Sequence, residues 1–537
     1  MLEQGDDKTR ELHSFLFKTA AEPFIKMLQL WLFKGELHDP YNEFMVQEDK
    51  SLSKEALERD FNSQYWEERY TLRTLHIPKI LKGHSNSLAQ MILTAGKYLN
   101  VVRGCFRGHV ILPTEQTLKI DPDSLSTLSR AVTKVYTFSS QVLLKMLEEQ
   151  HGLSTHLKSL RRFFLLEHGD FFTQFMDIAE GELRREAKDI SVSRINSLLQ
   201  LAIQTSTLAS DPHKEELSCS LASHNLIQHL HLIQSAGENN ENGTGQLPTD
   251  VLASLGTQGL KGIEALTLDY NVGWPVSILL SRRAITKYQL LNRLLFFSKH
   301  VELRVLTSWY HDQSTKHLDV RRMMSSSYCL RHRMLHFLQN FTYYMTLEVI
   351  SPRAHEMHGE MEEATDMDQV IDLHERFLDA CLKECLLASQ DLLKILTKLM
   401  TTCLLFADQM KRFFDENLLS SEQTKLNIPA STMADQHKQR REKANLQSEF
   451  INREASHESY QRTLSKFSTT FDTQLAEFLS KLWTASNRHH PQLSNLCVRL
   501  DYNAFYSREF GGDINESNKG FMTPMNQSNI SFSVDNR

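Results

Sequence analysis

Apolar residues along this chain recur mostly three or four positions apart, a spacing that lays one stripe along an α-helix. In residues 283–309 the stripe is Ile285, Tyr288, Leu291, Leu295, Val305 and Trp309. Trp274-Pro275 stands ahead of it, where proline's fixed φ suits the start of a helix. Leu330, Met334, Phe337, Leu338, Phe341 and Met345 mark a second helix over 327–350, and a third is expected over 370–416. Tyr460, Leu464, Phe467, Phe471, Leu475, Phe478 and Leu482 mark another over 459–485. Nearer the start, Leu12, Phe15, Leu16, Phe24, Met27, Leu28, Trp31 and Leu32 predict a helix over 10–34, broken or kinked at Pro23. Further helices are expected over 86–103 and up to about residue 150. All these stripes are expected to be core, because a bundle needs them.

Breaks fall where turn chemistry collects. Gly35 reads as a helix stop, and Asp39-Pro40 as a turn. Asp121-Pro122-Asp123-Ser124 reads as a turn before a capped helix start. His151-Gly152 interrupts the pattern, and the domain boundary is placed there, dividing 1–152 from 153–510. Residues 235–250, SAGENNENGTGQLPTD, have too few apolar groups to order themselves and read as a disordered loop. The polar stretch 417–435 reads as a loop, 437–456 as a charged surface helix, and 511–537 as a disordered tail. No internal repeat is evident, which argues against a regular solenoid.

Composition agrees. The 537 residues exceed one compact core, and only 20 Gly and 12 Pro punctuate a chain rich in helix formers. The fold class is all-α, built as elongated helical bundles. A net charge of −6 gives no basic field to attract nucleic acid. Seven irregularly spaced cysteines suggest a reducing compartment, not a disulfide framework. The start, MLEQGDDKTR, lacks a signal peptide, and the longest apolar runs fall short of the ~20 residues that span a bilayer, so a soluble chain without direct membrane contact is expected.

Catalytic chemistry is harder to find. No GxxxxGK[ST], strand-linked GxGxxG or G-x-S-x-G occurs. His355-Glu356-Met357-His358 puts its imidazoles about 300° apart around a helix instead of the effective ~40° of H-E-x-x-H, so a solvated helix edge is the better reading. Cys381 and Cys385 share a helix face but lie among Phe377, Leu378, Leu382 and Leu386, as buried thiols would. Glu302 and Glu348 lack the paired histidine of a dicarboxylate metal site. KQRREK (438–443) is diluted by glutamates and reads as a solvated face. No catalytic residue, metal ligand or cofactor is expected, and the chain is not read as an enzyme.

Several ordered strings carry a resemblance. WLFKGELHDPYNEFMV (31–46), YWEERYTLRTLHIP (65–78) and ILTAGKYLNVVR (92–103) come first. LRRFFLLEHGDFFTQFMD (160–177), the Trp274–Trp309 block, RHRMLHFLQNFTYYMTLEVI (331–350), HERFLDACLKECLL (374–387) and RLDYNAFY (499–506) follow. Together they resemble the gamma-tubulin complex components, which hold gamma-tubulin in rings that template microtubules. The resemblance implies a scaffold at centrosomes, spindle poles and other microtubule-organising centres. Its C-terminal domain would bind gamma-tubulin, and its N-terminal domain would pack laterally against gamma-tubulin complex component 3 and other family members. It also implies that the chain begins partway through the first conserved domain. Gly104 stands where the family commonly has an acidic residue. Arg331 and Arg333, on a polar helix face, are the candidate partner-binding residues. The alternative is a helical rod subunit of a vesicle-tethering or other multisubunit complex.

Overall fold

The computed structural model describes residues 7–52, 64–78, 87–105, 125–233, 260–313, 324–423, 458–488 and 492–509. Helices account for most of them. The elements run α1 (Asp7–Lys34), β1 (Val46–Glu48), α2 (Gln64–Glu68), β2 (Tyr70–Leu72), α3 (Ser87–Cys105), α4 (Leu125–His151), α5 (Leu153–Phe164), α6 (Gly169–Leu183), α7 (Val192–Thr205), β3 (Leu217–Leu221), α8 (Gly262–Ala265) and β4 (Leu266–Tyr270). They continue with α9 (Arg282–Gln313), α10 (Ser325–Tyr343), α11 (Ser351–Glu363), α12 (Met367–Glu384), α13 (Gln390–Gln423), α14 (Glu458–Arg488), α15 (Leu493–Leu500) and α16 (Phe505–Glu509).

The chain forms two compact units. One comprises Met1–Phe296 and Thr346–Lys383, the other Phe297–Met345 and Glu384–Arg537.

In the first unit, the early strings of the sequence turn out to pack on one another. Trp31 is fully buried and its Nε1 donates to the Ile92 carbonyl at 2.8 Å. Its ring lies flat on Gly96, where a Cβ would meet it at 2.0 Å, so only glycine fits. Gly35 ends α1 in the left-handed region (φ 61°) against the backbone of Asn100. Asp39 forms the expected turn by accepting from the amides of Glu43 and Phe44 (3.0 and 2.9 Å). Hydroxyls of Tyr98 on α3 and Tyr136 on α4 both donate to the Asp368 carboxylate on α12. Phe163, Phe171, Phe172, Phe175 and Phe296 form an aromatic cluster beyond them.

In the second unit, Phe337 on α10 meets Phe471 and Phe478 of α14 edge-on, at 6.2 and 6.1 Å.

Several expectations are corrected. Pro23 sits inside an unbroken α1. The front of that helix is not core: Leu12, Phe15 and Leu16 are exposed, Phe15 by 67%. Trp309, assigned to the long stripe, is also exposed, whereas Ile285, Tyr288, Leu291, Leu295 and Val305 are buried. Trp274-Pro275 is a cis peptide leading into a 3-10 turn (Val276–Ile278), and α9 begins only at Arg282. The helix expected over 327–350 changes at Tyr344–Ile350 to a π-helical stretch. The helix expected over 370–416 breaks between Glu384 and Gln390, and its second half runs on to Gln423 through part of the expected loop.

Among the described residues, two antiparallel pairs, β1–β2 and β3–β4, interrupt the helices. Strands of three or five residues are too short for alternation to show. The segments 121–124, 235–250, 437–456 and 511–537, whose roles were read from sequence, lie outside the described residues.

Candidate partner-binding surface

Both candidate arginines lie on α10, within the second unit. Arg331 is only 3% exposed and stacks its guanidinium over the rings of Trp309 and Tyr328, at 4.9 and 5.0 Å. Arg333 grips both oxygens of Asp472 on α14 at 2.7 and 2.8 Å and donates to Ser468 Oγ at 2.8 Å. One nitrogen, Nη1, spans both carboxylate oxygens while Nη2 takes the serine, so the guanidinium ties α10 to two positions one turn apart on α14.

The final motif closes on the same carboxylate. Asp501 accepts from the amides of Tyr506 and Ser507 at 3.0 and 2.9 Å, which folds DYNAFY into a turn with Ala504 at φ 55°. That turn delivers the Tyr506 hydroxyl to Asp472 at 3.2 Å. Burial, together with the Asp472 charge, pushes the Tyr506 phenol well above its usual range, so it stays a donor at any physiological pH.

The outer side of this junction carries exposed rings. Arg499 on α15 lies 4.3 Å over the ring of Tyr343, and His336 meets Tyr502 at 5.8 Å. Residues 336 and 343 are two turns apart on one face of α10, while Arg499 is on α15 and Tyr502 in the turn that follows it. Val498 and Tyr502 are 62% and 73% exposed, and Phe505 and Tyr343 are half-exposed. Tyrosine and arginine on a rigid helical base, rimmed by polar groups, are the composition of energetic centres in protein interfaces. Sequence periodicity singled out α10 but missed this surface. Its partners lie on α15 and the turn after it, and nothing local marks an exposed tyrosine as anything but a surface residue.

Other candidates fall in place. His355 and Glu356 are exposed on α11, while His358 lies 3.5 Å from Glu362. Cys381 and Cys385 are buried. No helix among the described residues is long and apolar enough to cross a membrane.

Residues 153–506 match the family model of the gamma tubulin complex component C-terminal domain, and residues 1–150 match that of the N-terminal domain. The chain is 35% identical over 522 residues to gamma-tubulin complex component 2 of Mus musculus, covering 94% of this chain and 56% of the mouse protein. It is 34% identical over 456 residues to the spindle pole body component alp4 of Schizosaccharomyces pombe, covering 76% and 57%. Human gamma-tubulin complex component 3 is 25% identical over 404 residues, 72% of this chain and 40% of that protein. The strings FMVQED, GDFFTQFMD and W-P-x-S-I likewise point to component 2 within the group. The chain spans little more than half the length of its component 2 relatives.

Proposed function

The chain belongs to the gamma-tubulin complex component family, and from that premise we propose that it is a gamma-tubulin-binding scaffold subunit that helps template microtubule nucleation. The observation that carries the reading is the match of both family domains in order over residues 1–150 and 153–506. In this proposal the segment 153–510 binds gamma-tubulin and 1–152 packs against component 3 and other family members. The site of action is the centrosome, spindle pole or equivalent organising centre.

The mechanism needs no covalent step. Holding several gamma-tubulins in a row makes lateral contacts effectively intramolecular, so incoming tubulin meets a nucleus already formed. The gamma-tubulin contact is proposed at the ring-bearing surface of α10, α15 and the turn after it, centred on Val498 and Tyr502. Arg333, with 35% of its side chain exposed, can reach a partner there. Arg331 acts from behind, by holding Trp309.

The test is size-exclusion light scattering of the full chain mixed with gamma-tubulin. An equimolar complex is expected, lost or much weakened in Val498→Asp/Tyr502→Ala with unchanged circular dichroism. Failure of the unaltered, folded chain to shift gamma-tubulin would refute the scaffold reading and favour a tether. Complex formation indifferent to the double substitution would move the contact elsewhere.

A further inference from the structure

The front of α1 carries a second apolar face, turned away from the side that seats the helix in the first unit. At about 100° per residue, Leu12, Phe15, Leu16 and Thr19 fall within about 100° of one another around the helix axis. All four are exposed, Leu12 by 56%, Phe15 by 67% and Leu16 by 53%. The residues that pack α1 into the core, Phe24, Met27, Leu28, Trp31 and Leu32, centre about 140° away. In the front half, the partly buried Thr9, His13, Ser14 and Ala21 lie on that same core side. The outward stripe is therefore not a frayed continuation of the core face. Single apolar residues are ordinary on a surface, but a contiguous row of them marks a contact.

Charges along the row identify what it contacts. Lys8 and Glu22 are both exposed, and both fall within about 20° of Phe15 around the axis. Each is seven residues from Phe15, so the row begins on a cation, ends on an anion and has a phenyl ring at its midpoint. Glu11 and Lys18 sit together on one flank of the row, and Leu16 on the other.

A second copy of the same helix, laid antiparallel with Phe15 opposite Phe15, matches every one of these features. Lys8 comes level with Glu22 of the second copy, and Glu22 with its Lys8. On one flank Glu11 comes beside Lys18 of the second copy, while Leu12 and Leu16 of both copies close the other flank. A parallel arrangement would instead set Lys8 against Lys8 and Glu22 against Glu22. Attraction in one direction and repulsion in the other select the antiparallel pairing. Exchanging the copies leaves the contact unchanged, as a two-fold interface requires.

We propose that the front of α1 is a homotypic docking surface, through which two copies of this chain pair as antiparallel helices about a two-fold axis at Phe15. The paired stretch from Lys8 to Glu22 is about 21 Å long. So short a contact belongs with the small, transient interfaces, and reversible association with a Kd of about 1–100 µM is expected. Phe15 supplies the apolar centre, and the charges supply direction. The α1 residues belong to the first unit and Val498 and Tyr502 to the second, so this pairing does not depend on the gamma-tubulin surface proposed above.

The test is light scattering of the full chain at concentrations on either side of the expected Kd. The mean mass is expected to rise from that of one chain toward that of two. Phe15→Asp should weaken the dimer at least about 10-fold with unchanged circular dichroism. Lys8→Glu and Glu22→Lys should each weaken it about 5–10-fold, because two attractions become two repulsions. An equimolar mixture of those two variants should regain the original affinity, since each supplies the sign that the other lacks. Val498→Asp/Tyr502→Ala should leave the dimer intact. A chain that stays monomeric throughout would overturn the proposal and give the row to a different protein. Dimerisation indifferent to Phe15→Asp would overturn it by placing the contact elsewhere, and loss without recovery in the mixture would overturn the antiparallel pairing.

Discussion

His374, the first residue of the HERFLDACLKECLL string, is fully buried and bonds the Tyr288 hydroxyl through Nε2 at 3.0 Å. Burial, with the Lys287 charge adding to it, lowers its pKa to about 4 from 6.5. Between pH 6.5 and about 4 the unfolded chain therefore binds a proton that the folded chain refuses, so stability falls as pH falls through that window. The expected slope from this residue is about 1.4 kcal/mol per pH unit. Urea midpoints of the intact chain at pH 7 and 5 should show that slope, and His374→Gln should remove it while still offering Tyr288 a partner. Glycine gives a second residue-scale prediction, of opposite signs at two positions. Gly96→Ala would drive a methyl into the Trp31 ring and should cost about 1–3 kcal/mol. Gly359→Ala, on α11 with nothing within 4 Å of the new carbon, should gain about 0.5–1 kcal/mol from helix propensity. Thermal melts of the two variants would decide, and equal shifts would contradict the packing argument.

At the scale of elements, the helices end and bend where tertiary burial, and not local signals, dictates. Cys385, Leu386 and Leu387 are all 1% exposed in the turn between α12 and α13, and Leu386 adopts φ 68° there. No glycine or proline marks that break, so an apolar run reads on as helix. The π-helical stretch buries Tyr344, Met345, Val349 and Ile350, an arrangement that a 3.6-residue period cannot describe. The α10–α14 tie makes an element-scale prediction. Asp472→Ala removes a partner from both Arg333 and Tyr506 and should cost about 1–3 kcal/mol. Arg333→Lys keeps the charge but loses the second nitrogen's bond to Ser468, and should cost less, about 1 kcal/mol. Chemical unfolding of each variant reads the difference, and a larger loss from the lysine would point to packing by the guanidinium instead.

For the whole molecule, the ties from Tyr98 and Tyr136 to Asp368 place residues on both sides of position 152 in one compact unit. Cutting the chain at 152/153 leaves the Asp368 carboxylate without two donors and removes them from their burial. The fragment 1–152 is therefore expected to be less stable than the same residues in the intact chain, measurable as faster hydrogen exchange over α3 and α4. Unchanged exchange there would mean that the segment stands alone. Tests of gamma-tubulin binding are accordingly best made on the full chain with surface substitutions.

The sequence by itself determined the helical class, most helix positions and the family, because these rest on local period and on ordered strings of residues. Trp31, Gly35, Asp39, Gly96 and Asn100 were all visible in those strings, but their mutual packing was not. Arg331 and Arg333 were legible as polar-face residues, but not as a cation over Trp309 and a grip on Asp472, 139 residues away. Only the tertiary structure decided which stripes were buried, which arginine stayed accessible and which distant donors met. Burial and pairing depend on what the rest of the chain brings alongside, and local period carries no record of that.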